Sequence, residues 1–155
     1  MAKSEFTIDL SEFEKLFNRA TVQLVPQAAE RGLGQAGLLL LGHTGTEDPV
    51  IPKDEGTLAG SWSLFVQNKL KKAGPNDAAT DHKEPIGKDE MMAVVGFNSP
   101  YAVYQHEGQR KDGSHVVHNY TLAGSGPDFL KKPLSDNREF YMKQVADEIK
   151  KALGN

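Results

Sequence analysis

Four side chains have the types and spacing to hold a metal ion or move a proton: His106, Glu107, His115 and His118. His115-x-x-His118 would set two imidazoles on one side of a helical turn, and His106-Glu107 would add ligands or an acid/base pair. The helical zinc-hydrolase pattern needs two His four residues apart with Glu between them, and this chain lacks it. The segment around the histidines is glycine-rich, so no backbone geometry presets the ligands. The reading as surface or interface histidines outweighs the metal site. A protonation-sensitive contact is a lesser role, since His titrates near neutrality.

Other chemical candidates are weaker. Gly124-Ser-Gly126 lacks the full Gly-x-Ser-x-Gly of a nucleophile elbow and reads as a hinge before Pro127. Gly32-x-Gly34-x-x-Gly37 has the spacing of a dinucleotide fingerprint, which requires a preceding strand. Here the preceding residues are helical in pattern and include Pro26, so the match is accidental. Lys69, Lys71 and Lys72, with Lys131 and Lys132 further on, form two small basic groups. They read as solvated faces before they read as a patch for phosphates or an acidic partner.

The elements that position these residues follow from periodicity. Ser11-Glu-Phe-Glu14 reads as a capping box, followed by Phe13, Leu16, Phe17, Ala20, Leu24 and Ala28 on one helical stripe. Pro26 interrupts this stripe, so a kink or break is expected near Val25. The helix resumes to Leu41 despite Gly32, Gly34 and Gly37, each costing up to about 1 kcal/mol relative to Ala. Close approach of a neighbouring backbone is the expected reason for them. Residues 42–54 read as a loop, and Trp62–Leu70 as a strand. Residues 71–89 read as a long polar loop, functional or mobile, whose removal (residues 74–88) should leave the monomer folded. Met91–Phe97 is a continuous apolar run, expected as a central strand buried on both faces. Residues 101–107 read as a short helix, and 109–126 as a second long loop around a short strand from Val116 to Leu122. Ser135-Asp-Asn-Arg-Glu starts a closing helix with Tyr141, Val145, Ile149 and Ala152 on one stripe and Gly154 beyond its end. The expected class is α+β in one domain, residues 1–155. A small antiparallel sheet is packed by a long kinked N-terminal helix and a C-terminal helix, with long extended loops.

Composition narrows the function classes. At 155 residues the chain can sustain a core alone, and its 38% hydrophobic content predicts a modest one. A net charge of −3 builds no global basic field, which disfavours a dedicated nucleic-acid-binding module. With no cysteine, disulfides and thiolate metal sites are excluded. Met1-Ala-Lys-Ser-Glu-Phe lacks a signal peptide's apolar run, and Gly37–Gly42 is far short of the ~20 residues of a membrane span. A soluble protein made in the cytoplasm, without cofactor or membrane contact, is the expectation.

Three segments in order carry a family resemblance: Pro52-Lys-Asp-Glu-Gly-Thr-Leu58 with Ser61, Pro100-Tyr-Ala-Val-Tyr-Gln-His-Glu-Gly108, and Pro127-Asp-Phe-Leu130. Together they resemble the tail-completion (neck) proteins of long-tailed bacteriophages. Those proteins carry Pro-x-x-Thr-Gly-x-Leu-x-x-Ser, then Pro-Tyr-Ala-x-Tyr-x-Glu-x-Gly, then Pro-x-Phe-Leu. This chain has Glu55 for the usual Thr and one extra residue between Tyr104 and Glu107. The motif residues are Pro52, Gly56, Leu58, Ser61, Pro100, Tyr101, Ala102, Tyr104, Glu107, Gly108, Pro127, Phe129 and Leu130. Read physically they are structural. Gly56 permits a turn with positive φ, Tyr101 and Tyr104 share a helix face with buried rings, and Phe129 and Leu130 anchor the last helix in the core.

The resemblance implies a non-enzymatic virion protein forming a homo-oligomeric ring, six copies to match the tail, at the head–tail junction. Its partners would be portal, adaptor or head-closure proteins on one side and tail-tube or tail-terminator proteins on the other, with DNA passing through the lumen. The two polar loops would reach those partners, with Lys71, Lys72, His82, Lys83, Arg110, Lys111, His115 and His118 as candidate contacts. A tail terminator or minor capsid protein of an adjacent ring is the nearest alternative. A small metal-dependent hydrolase using the His/Glu cluster is the alternative of another class.

Overall fold

Pro26 sets the course of the first helix. In the computed structural model, which describes residues 15, 18–52, 57–109, 112–113, 120 and 123–154, Arg19–Leu24 widen into a π-helix and the Val25 N–H bonds back to the Ala20 carbonyl. The proline ring would collide with the carbonyl four residues earlier, and the wider turn accommodates it without a break. Helix α1 (Val25–Thr44) follows directly with Pro26 in its first turn, where a missing N–H costs least. The capping box, Phe13, Leu16, Phe17, Gly56 and, Tyr120 apart, the expected strand at Val116–Leu122 lie outside the described residues.

A single helical turn, α2 (Thr57–Gly60), leads into a hairpin of β1 (Trp62–Val66) and β2 (Lys69–Ala73). A third strand, β3 (Ala93–Phe97), precedes α3 (Ala102–Glu107), and the chain closes with α4 (Lys131–Asp136) and α5 (Arg138–Ala152). The sheet is antiparallel with strand order β2-β1-β3, and helices pack on it, which makes the class α+β.

Two expectations about strands are corrected. Trp62–Leu70 is not one strand, because Gln67 and Asn68 both adopt positive φ and fold the chain back. The turn is stabilised from outside. Gln67 Oε1 accepts the Met92 N–H, while Asn68 donates to the Glu84 carbonyl and accepts the Glu84 N–H. Nor is Met91–Phe97 a central strand: among the described residues β3 is an edge, and it is only half-buried. The central strand is β1, whose Ser63, Leu64, Phe65 and Val66 are all buried. Ser63 disguised it in sequence, and its buried hydroxyl is satisfied by the Ala79 carbonyl at 2.7 Å.

The segment after β2 is therefore a layer of the fold rather than a free loop. It returns along the sheet face opposite α1, bonding Ser63 and Asn68, and lays His82 against the Phe65 ring at 5.4 Å. On the helical face, α1 packs chiefly against α5. A Cβ on Gly32 would stand 2.7 Å from the Val145 Cα, so this glycine permits the close helix crossing. Gly37 meets the Leu64 side chain, whereas Gly34 faces open space. Two buried clusters result: Ile51, Leu58, Ala102 and Phe129, and Ala36, Leu40 and Tyr141, with Leu130 packed on both.

Candidate functional site

The three sequence segments converge. Leu58 of the first, Ala102 of the second and Phe129 of the third share one core cluster with Ile51. Phe129 is 1% exposed, and the Phe97 and His106 rings meet it edge-on at 5.6 and 5.1 Å. Pro52 is buried beside Ile51 in the chain.

Polar bonds register the segments against one another. Buried Ser61 donates its hydroxyl to the Leu58 carbonyl at 2.9 Å and accepts the Ser99 N–H at 3.1 Å, while its carbonyl accepts the Asn98 N–H. One serine thus joins α2, β1 and the Ser99-Pro100 turn after β3. At the other end of α3, Gly108 has φ of 71°, the left-handed conformation in which glycine ends helices, and a Cβ there would press on Pro127 at 3.3 Å. The Asp128 N–H donates to the His106 carbonyl at 2.7 Å, with Asp128 itself at positive φ. Tyr120 donates to the Gln105 carbonyl, and burial, aided by the Asp128 carboxylate, raises its phenol pKa.

With Ala102 facing inward, the opposite side of α3 turns outward. Tyr101 is 57% exposed and Val103 58%, and Tyr104 is also exposed. The expectation that both tyrosine rings are buried is corrected. Six residues make fewer than two turns, and Ala102 occupies the inward position, leaving the aromatics to solvent. An outward Tyr-Val-Tyr group on a turn held by these bonds is an arrangement suited to protein contact.

The expected His/Glu centre is not assembled by the described residues. His106 is used locally: its Nε2 accepts the Lys131 N–H at 3.3 Å, its Nδ1 lies 3.5 Å from Glu107, and its ring rests on Phe129. His115 and His118, like Arg110 and Lys111, lie outside the described residues. Among the described residues no group of three or more His, Asp or Glu is arranged to hold a metal ion.

The remaining candidate contacts separate. His82 packs on Phe65 with its Nε2 buried and without a hydrogen bond, 3.8 Å from Glu84, so its ring covers part of the sheet. Lys71 lies at the β-bulge between paired Lys72 and Leu70 and reaches Glu30 on α1 at 3.5 Å. Lys72 is exposed on the sheet edge, and exposed Lys83 pairs with Asp81.

Sequence reasoning missed a second feature. An open apolar groove of about 750 Å³ lies between β3 and α5 over the flank of α1. Its only sequence sign is the Met91-Met92 pair together with Met142. No helix of the described residues is long and apolar enough to cross a membrane. Compared with protein-family models, curated proteins and solved structures, the chain finds no match.

Proposed function

We propose that this chain is a structural virion protein of the bacteriophage head–tail junction. It would form a ring that joins or completes the tail at the portal-side complex, assembling in the host cytoplasm. The observation that carries the reading is the convergence of the three motif segments on one core cluster, with Tyr101, Val103 and Tyr104 presented outward. A catalytic motif would direct polar groups into a cleft. This one spends its polar groups on bracing a turn and its aromatics on the surface, which is the economy of an assembly contact. A closed ring requires a head-to-tail interface between copies, so that face would meet a different surface on the neighbouring copy or ring.

Native mass spectrometry of the chain, alone and mixed with portal-adaptor and tail-tube proteins, tests the reading. The expected result is a ring near six times the 17.0 kDa chain mass, or assembly triggered by a neighbour, lost in Tyr101→Ala. A chain that stays monomeric and binds neither neighbour overturns it.

A further inference from the structure

Helix α1 packs on β1 and β3, and α5, packed on α1, lies across the groove from β3. Two helices side by side span about 16–20 Å at the usual 8–10 Å spacing of axes. Three strands about 4.8 Å apart span roughly 14 Å. The difference is up to about the width of one strand. It falls beside β3, where the groove opens under Leu134, Tyr141 and Met142, with Met142 58% exposed.

The β3 edge is also chemically open. Asn98 and Met92 bond toward β1, through Ser61 and Gln67. The antiparallel alternation then turns Val94 and Gly96 toward β1, and leaves the N–H and C=O of Ala93, Val95 and Phe97 pointing away from it. No strand pairs with that side among the described residues. The opposite edge, β2, carries Lys69, Lys71 and Lys72, the charges that blunt an edge. β3 carries none.

Charge and space select the occupant. Lys131 and Arg138 stand at the groove rim, and neither has a carboxylate within ion-pairing distance among the described residues, although the chain is net acidic. The lysine-bearing β2 of another copy would meet like charge there. A second copy's β3 would bring its own α1–α5 layer over the same strip. We infer that the groove takes one extended segment of a partner protein, added to β3 as a fourth strand. Its alternate apolar side chains would lie under α5, and an acidic residue would meet Lys131 or Arg138. Three of the chain's four methionines line this groove or its mouth and supply an adaptable wall. The inference is independent of the neck reading.

The test is an amide-resolved NMR titration with a capped heptapeptide of alternating Val and Thr bearing a terminal Asp, and with its Lys counterpart. The expected result is shifts centred on the Ala93, Val95 and Phe97 amides, with the Asp peptide favoured by about tenfold. Arg138→Glu should reverse the preference, and Ala93→Pro, which removes an outward donor, should weaken both peptides. Arg138 is exposed, so its variant tests charge in a folded chain. Unshifted β3 amides at millimolar peptide, equal affinity for the two peptides, or a concentration-dependent dimer that itself shifts β3 would each overturn the inference.

Discussion

Phe129 and Tyr101 belong to neighbouring motifs and divide the work between them. Phe129 is enclosed by all three segments, so Phe129→Ala should cost about 3–5 kcal/mol in chemical denaturation. Tyr101 is mostly exposed, and Tyr101→Ala should leave stability within about 0.5 kcal/mol while abolishing the proposed ring assembly. A large loss of stability in Tyr101→Ala would mean that the ring is a packing residue. The positions of both residues were recognisable in sequence, but their orientations were not. Pro-Tyr-Ala-x-Tyr is equally compatible with either face inward, and small Ala102 took the buried position because Phe129 fills the space beneath it.

At the scale of elements, Gly32 and Gly34 stand two residues apart in α1 and have opposite surroundings. Gly34→Ala should gain about 0.5–1 kcal/mol of helix propensity, since nothing lies within 4 Å of the added Cβ. Gly32→Ala should lose about 1–3 kcal/mol, because its Cβ would meet the Val145 backbone and separate α1 from α5. Thermal unfolding of the two variants in parallel separates these outcomes. The segment after β2 belongs to the same scale. Excising residues 76–86 should destabilise the chain by uncovering Phe65 and leaving the Ser63 hydroxyl and the Asn68 amide without partners. A fully stable deletion in circular-dichroism melts would show that the segment is only a tether between β2 and β3. Its polar composition concealed this role, because it covers the sheet largely with backbone groups and one imidazole.

The molecule as a whole should respond to alkali through Tyr141. Burial, with the Glu47 carboxylate adding to it against the opposing Asn137 hydrogen bond, pushes this phenol from 10.0 up to about 12. Its hydroxyl bonds His43 Nδ1 at 2.5 Å, tying α5 to the end of α1. Below about pH 10 the phenol is protonated in both folded and unfolded chains, and its contribution is complete. Between pH 10 and about 12 only the unfolded chain ionises, so stability falls as pH rises through that window. Tyr141→Phe should flatten this part of the pH–stability curve. An unchanged slope in the variant would assign alkaline unfolding to other groups.

Local chemistry in the sequence sufficed for the α+β class, the two long helices, the short helix after β3 and the Pro-Asp-Phe-Leu anchor. Proline, glycine and 3.6-residue periodicity act over a few residues and need no partner to be read. Only tertiary structure decided which described strand is central, that a polar segment forms the second face of the sheet, which side of the Tyr-Val-Tyr turn is exposed and that an apolar groove lies between β3 and α5 among the described residues. Each depends on what a residue meets across long sequence separation. A serine whose hydroxyl finds a carbonyl 16 residues away can be as deeply buried as a valine, and no local pattern announces that.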